Sequence, residues 1–289
     1  MYKVSMHNHT NLGDAQDTPE AMARTAYVQG FTHFAFTEHA LNPGFPDITL
    51  TDEHIVPYMK AICDLKARYC NAMEVTLGIE LDYFTNPDGR RGSWGLQVEA
   101  LRGAFDFIIG SVHEIPFEDK YYSFNRAGEI DTLLNLSGRS AASVVTQYYE
   151  TEMDMLETVQ PEILGHMDLI KKCNERDRLY AEGSHRIRAL KEKVVECAKK
   201  YDTIIEVNTG GISRYGAHAV YPTVEVLKMC RRKGVPVTIG ADAHNTKDIY
   251  AHYELALSML KEAGIREIAV FEGKKLKMLP LDEQKEMAV

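Results

Sequence analysis

Five cysteines are present, yet no two form a CxxC pair, and any pairing leaves one over. That spacing excludes a cysteine-based zinc knot or a disulfide scaffold and suits a reducing compartment. Cys63 and Cys70 fall on an expected helix and read as packed thiols. No apolar run approaches the ~20 residues needed to span a bilayer, and no basic segment leads into an apolar one at the N-terminus. A cytoplasmic setting without a membrane partner is therefore expected. Positive charge is scarce too, since 33 Lys and Arg against 42 Asp and Glu give a net charge of −9. Broad attraction to nucleic acid is disfavoured, although a local basic pocket can still hold one phosphate group. No Pro-, Gly- or Ser-rich linker divides the 289 residues, a length that one α/β barrel can fill, so 1–289 is expected to form a single domain.

What the chain does have is a series of short, Val-, Ile- and Phe-rich runs at 2–7, 31–39, 75–84, 105–115, 163–170, 203–209 and 236–244, with a last one at 267–273. Near-continuous apolar segments of this length are the pattern of buried parallel strands. Helical stretches lie between most of them. Thr18, Pro19 and Glu20 read as an N-cap, a first-turn proline and a dipole-favoured acid, and Gly30 stops that helix. Helices are also expected over 139–159, 184–201, 223–233 and 246–263. The alternation predicts βα units with right-handed crossovers, hence a parallel sheet that is closed into a barrel or left open and doubly wound. Residues 116–138 are the longest irregular stretch, to be read as a lid or as a solvated insertion.

Polar residues cluster at the ends of the expected strands: His7 and His9, Glu38 and His39, Glu80 and Asp82, His113, His166 and Asp168, Asp242 and His244. Each alone would be an ordinary polar strand tip. In an α/β barrel, however, the strand C-termini gather on one face, so residues scattered across 238 positions would meet there. The H-x-H spacing puts both imidazoles on one side of a strand, because strand side chains alternate. Imidazole mixed with carboxylate, without cysteine, suits zinc, iron or manganese in a hydrolytic or redox site. Glu80 has two oxygens with which to bridge ions, and the donor count suggests more than one metal. Closely spaced ions suit phosphate ester hydrolysis best. Amide hydrolysis and deamination use similar donors and stay open at this point.

The motifs MHNHT, TEHA, GIELDY, SVHEI, GHMDLIKK and GADAH, in this order, resemble those of the polymerase and histidinol phosphatase (PHP) superfamily. With VNTGGISR and YPTVEVLKMCRRKGVPVTIGADAH, the chain looks most like its monofunctional histidinol-phosphate phosphatases, from residue 6 to residue 244. The resemblance implies a distorted (β/α)7 barrel, TIM-barrel-like, with three divalent ions: zinc first, with iron or manganese as the other choices. One ion would take His7, His9, Glu80 and Asp242; a second would share Glu80 and add His113 and His166; a third would take Asp14, His39 and His244. Asp14 departs from the pattern, since many members carry histidine there. A metal-bridging hydroxide would attack phosphorus, with no side-chain nucleophile. Arg214 matches a basic position of the family and is the expected phosphate clamp.

Lys171 is a second substrate-binding candidate or else a solvated lysine, and His218 is undecided, in a loop that can approach the substrate. Asp168 is a candidate general acid, a partner orienting a ligand, or a helix cap, and Glu38 and Asp82 are open to the same roles. The expected activity is hydrolysis of L-histidinol phosphate. Its rivals are a PHP phosphatase for another small phosphomonoester and a non-catalytic metal-binding module. The partner is a small phosphorylated molecule rather than nucleic acid, and a homo-oligomer is compatible with the sequence.

Overall fold

Each apolar run places a strand, and the strands are shorter than the runs because their polar ends leave the ladder. The computed structural model describes residues 2–40, 49–50, 52–85, 95–126 and 128–281. Its strands are β1 (Val4–Ser5), β2 (His33–Phe36), β3 (His39–Ala40), β4 (Glu74–Asp82), β5 (Phe107–Ser111), β6 (Glu114–Phe117), β7 (Lys120–Ser123), β8 (Ile163–Leu164), β9 (Ile204–Asn208), β10 (Val237–Gly240), β11 (Glu267–Glu272) and β12 (Lys275–Pro280). The helices are α1 (Pro19–Val28), α2 (Asp52–Tyr69), α3 (Gly95–Ala104), α4 (Glu129–Ser137), α5 (Ala141–Thr158), α6 (His185–Lys200), α7 (Ile212–Tyr215), α8 (Val224–Lys233) and α9 (Tyr253–Ala263).

The main sheet runs β1-β2-β4-β5-β8-β9-β10, all parallel, with β3 also paired to β4. Strand order follows chain order without reversal, which rules out the doubly wound alternative. The two edges meet: Met6 N donates to Ile239 O at 2.8 Å, His9 N donates to Ala243 O at 3.0 Å, and Asn8 bridges Ala243 in parallel. The protein is thus an α/β barrel of the distorted (β/α)7 type. The distortion lies in the two-residue β1 and β8 and in the break between β2 and β3.

Local chemistry explains the helix ends. Thr18, Ser140 and Ser184 cap α1, α5 and α6 by accepting from Ala21 N, Ser143 N and Ile187 N. Gly30, at φ 79°, ends the α1 turn in the left-handed region. The helix expected from 246 begins only at Tyr253. Asn245 is the reason: its Oδ1 accepts from the amides of Lys247 and Asp248, and its Nδ2 donates to Asp248 Oδ2 at 2.6 Å, which holds the segment in a turn.

Three further expectations need correction. The stretch 116–138 is not irregular: β6 and β7 form an antiparallel hairpin, and α4 follows with Ile130 and Leu133 buried. Cys63 and Cys70 are exposed rather than packed, because α2 buries Tyr58, Ile62 and Leu65 instead. The last apolar run forms β11 outside the barrel sheet, antiparallel to β12. Thr76 Oγ1 donates to Phe271 O at 3.1 Å and Phe107 stacks on Phe271 at 4.8 Å, so this hairpin covers the end of the barrel where β4 and β5 begin. Among the described residues, no helix is long and apolar enough to cross a membrane.

Candidate metal centre

At the opposite end, where the parallel strands finish, the expected donors converge. His7 and His9 follow β1, His39 opens β3, Glu80 and Asp82 end β4, His113 follows β5, His166 follows β8, and Asp242 and His244 follow β10. His7 and His9 are wholly buried and aim their Nε2 atoms at each other, 3.1 Å apart. Glu80 Oε2 lies 3.2 Å from His7 Nε2 and 3.4 Å from His9 Nε2, and Asp242 Oδ1 lies 3.9 and 3.4 Å from the same two nitrogens. A tetrahedral ion with ligand bonds of ~2.0–2.1 Å needs donors about 3.3–3.4 Å apart, so this group has the spacing of a metal cage.

The other oxygen of Glu80 serves a second group. Oε1 lies 3.0 Å from His166 Nε2 and 3.6 Å from His113 Nε2, and the two nitrogens are 3.1 Å apart. In the third group, Asp14 Oδ2 is 3.3 Å from His244 Nε2 and 3.9 Å from His39 Nε2. The sets His9–Asp14–His39–His244, His39–Glu80–Asp82–His113 and His7–His9–Asp242 each bring their donor atoms close enough to hold an ion. Buried atoms of the cluster also lack hydrogen-bond partners, among them His9 Nδ1 and Glu80 Oε2. A cation answers that deficit, since buried polar atoms are otherwise paired.

A surrounding layer orients the imidazoles. Glu206, inside β9 and fully buried, accepts from His7 Nδ1 at 2.8 Å and from the His166 backbone N at 2.6 Å. Asp82 Oδ1 lies 3.0 Å from Nδ1 of both His39 and His113, which leaves their Nε2 atoms for the cluster. Glu38 is held by Thr10 Oγ1 at 2.6 Å and sits 3.8 Å from His9 Nδ1. Asp82 and Glu38, whose roles the sequence leaves open, thus orient ligands, and Glu206, inside an apolar strand run, joins them without having been expected.

The electrostatics follow from this packing. Burial depresses His7, but Glu206, Glu80 and Asp242 overcome it and raise the imidazole well above its usual range. Burial and His39 pull His9 down, yet Asp242, Glu38 and Asp14 lift it to about 9. Burial would raise Glu80, and the rings of His39, His7 and His113 hold it well below the carboxylate range instead. Acids that stay ionised beside imidazoles that gather protons form a site in which metal ions and protons compete.

A cavity of about 280 Å³ opens over the cluster, lined by Asp14, His39, Glu80, His113, His166, Asp242 and His244 together with Arg214, Lys172, Tyr215, Tyr221 and Asn125. Arg214, on the short α7, reaches Asp242 Oδ2 at 3.6 Å, so the expected clamp stands beside the cluster. Lys171 does not: its Nζ donates to Val220 O at 2.9 Å, and the neighbouring Lys172 faces the cavity in its place. His218 is not among the described lining residues, and its ring meets the Lys172 carbonyl at 3.4 Å. Asp168 is also turned away. It is wholly buried at φ 79°, accepts from Tyr149 Oη at 2.7 Å and pairs with Lys191 Nζ at 2.9 Å, and it takes the N-cap position of the turn Leu169–Cys173 without a side-chain cap hydrogen bond.

Known proteins share this architecture. A probable histidinol-phosphatase of Schizosaccharomyces pombe is 26% identical over 289 residues, covering 93% of this chain and 89% of that protein. The histidinol-phosphatase of Bacillus subtilis is 26% identical over 270 residues, covering 89% of this chain and 99% of its own. Among solved structures, a putative histidinol phosphatase from Listeria monocytogenes superposes with a TM-score of 0.76 at 20% identity, covering 88% of this chain and 99% of that one. The histidinol phosphate phosphatase of Lactococcus lactis, complexed with zinc, L-histidinol and phosphate, gives 0.74 at 20% identity, covering 95% and 98%. The PHP domain family itself matches residues 5–210, more than two thirds of the sequence, and the chain belongs to that family.

Proposed function

We propose that the protein is a metal-dependent phosphomonoesterase that hydrolyses L-histidinol phosphate to L-histidinol and phosphate. The observation that carries this reading is the shared carboxylate: Glu80 turns one oxygen to His7 and His9 and the other to His113 and His166, at the floor of a cavity walled by Arg214. Three divalent ions, zinc first, would take His7, His9, Glu80 and Asp242; Glu80, His113 and His166; and Asp14, His39 and His244. Such ions, when bound, polarise phosphoryl oxygens and acidify water.

The chain's own residues supply the rest. Glu206 and Asp82 fix the imidazole orientations, and Arg214 grips the phosphoryl oxygens with its planar fork. The cavity volume, about 280 Å³, is on the scale of a small ester rather than a polymer strand. Support for the substrate comes from the relatives named histidinol-phosphatase along nearly their full lengths, and from a structural neighbour complexed with zinc, L-histidinol and phosphate.

The test is a panel of phosphomonoesters offered to the metal-loaded protein, with metal content measured on the same sample. The highest kcat/KM is expected on L-histidinol phosphate. Equal or greater turnover of a nucleotide or sugar phosphate would assign the protein to another PHP phosphatase activity. A fully loaded protein inert toward every ester would be a binding module.

A further inference from the structure

Hydrolysis of an alkyl phosphate has two demands, one at phosphorus, which the cluster with Arg214 can answer. The other is the departing alkoxide, a strong base that leaves slowly unless it takes a proton in the transition state. Arginine does not release its protons, which removes Arg214. Asp82 Oδ1 is taken up by Nδ1 of both His39 and His113, at 3.0 Å each, where it orients two imidazoles rather than meeting a leaving group. Burial pushes the Tyr221 hydroxyl up, so it holds its proton tightly.

Lys172 is differently placed. It lies on the 3-10 turn Leu169–Cys173 that follows β8 and His166, and it lines the cavity with Arg214 and Tyr215. Its Nζ reaches the side-chain oxygen of Asn125, beyond the β7 end of the hairpin, and stands 5.0 Å from the centre of the Tyr215 ring. Asn125 and Tyr215 both line the cavity, so the two contacts hold the ammonium at it.

We propose that Lys172 is the general acid of the reaction, protonating the leaving oxygen as its bond to phosphorus breaks. As water adds to phosphorus and gives up one proton to solvent, the phosphorus–oxygen bond to the alcohol breaks and its electron pair stays on that oxygen. The same oxygen takes a proton from Lys172 Nζ, and the neutral amine then regains one from solvent. The inference rests on the phosphomonoesterase reading.

The charged and titratable groups facing Lys172 are Cys173 on its own turn, Arg214 and Tyr215 on α7, and Asp242 after β10. Burial pushes the amine down, Cys173 opposes, Arg214 pushes further down and Asp242 opposes, which leaves it at about 7. An acid in that range both gives and regains its proton at neutral pH.

The experiment compares L-histidinol phosphate, whose alkoxide needs a proton, with p-nitrophenyl phosphate, whose phenolate leaves without one. Lys172→Met is expected to lose on the order of 100-fold or more in kcat on the alkyl ester, within the usual range for a lost general acid, and far less on the aryl ester. Lys172→Arg keeps the charge and the fold, and should restore KM without restoring kcat on the alkyl ester. Competitive acetylation of the amine across neutral pH, read by mass spectrometry on the chelated protein, should find Lys172 titrating well below an ordinary lysine. Equal losses on the two esters would reduce Lys172 to a phosphate contact and overturn the proposal. So would an ordinary titration, or the same leaving-group dependence in Glu114→Gln, at a carboxyl that also lines the cavity, but not in Lys172→Met. A wild-type protein inert toward both esters would instead overturn the phosphatase reading, so the two failures are separable.

Discussion

Replacing Glu206 by glutamine tests whether the cluster depends on a residue that would touch no metal. The carboxylate has no spare capacity, because Oε1 accepts from His7 Nδ1 at 2.8 Å while Oε2 accepts from the His166 backbone N at 2.6 Å and from Asn208 Nδ2 at 3.2 Å. An amide has one acceptor end and one donor end. If its oxygen stays with His166 and Asn208, its NH2 group faces His7 Nδ1, and the imidazole must carry its proton on Nε2, the atom that faces the cluster. If the amide is reversed, its NH2 meets two donors in a fully buried place, at a cost of about 1–3 kcal/mol for each group left unpaired. The first arrangement is the cheaper one, so the damage falls on His7 as a ligand. Loss of such an orienting partner typically weakens metal binding by ~10- to 100-fold. Competition titration against a chromophoric zinc chelator should show one class of zinc weakened to that extent, with turnover falling in parallel and the fold intact by circular dichroism. Wild-type zinc affinity and turnover in Glu206→Gln would refute the reasoning.

Other perturbations read the same geometry. In Gly240→Ala the new Cβ would stand 1.7 Å from Glu206 Oε1 and 2.8 Å from His7 Cβ, so both must move; a thermal melt should show ~1–3 kcal/mol of destabilisation together with the zinc defect of Glu206→Gln, and a normal zinc content would count against it. Arg214→Ala should raise KM by roughly tenfold or more, from the ~1.5–3 kcal/mol of a charged hydrogen bond, with kcat less affected, and steady-state kinetics giving an unchanged KM would remove the clamp. In chelator, His9 titrates at about 9 when folded against 6.5 unfolded; its contribution, at most about 3 kcal/mol, is full below 6.5 and lost as pH rises through 9. Melting temperatures should therefore fall across that window in chelator and hold in zinc, and a flat profile in chelator would contradict the cluster's electrostatics.

The barrel and most of the cluster were legible because strand ends are where a barrel gathers its chemistry, and the donors sit at the polar ends of apolar runs. Asp14 lies in a loop, where nothing in its neighbours marks it, and only the resemblance singled it out. Glu206 was missed although a signal exists: it is a lone acid inside the apolar run 203–209, and a buried strand admits a carboxylate only where something pairs with it. The choice between Lys171 and Lys172 was not readable. Both lie on the 3-10 turn Leu169–Cys173, where adjacent side chains point apart, and the sequence pattern does not say which of them meets the cavity. The hairpin within 116–138 was obscured because its strands are only four residues each and its turn passes through Glu118 at φ 54°, a conformation that the usual turn residues do not announce there.

The charge of the site bears on how many ions it takes. Six carboxyl groups, Asp14, Glu38, Glu80, Asp82, Glu206 and Asp242, surround six imidazoles, His7, His9, His39, His113, His166 and His244, and Asp14, the most open of these acids, exposes only 21% of its side chain. Burying that many acids without cations is costly. Protons can meet part of the need, which is why the acids lift His7 and His39 above their usual range against the pull of burial. A protonated imidazole is no ligand, however, so binding a metal means releasing those protons and replacing their charge. Three divalent cations would balance six carboxylates and leave every imidazole neutral. They would also leave Arg214 and Lys172, on the cavity wall, free to meet an incoming phosphate dianion. With two ions, the rest of the compensating charge would have to come from protons on imidazoles such as His39, which would then hold no metal.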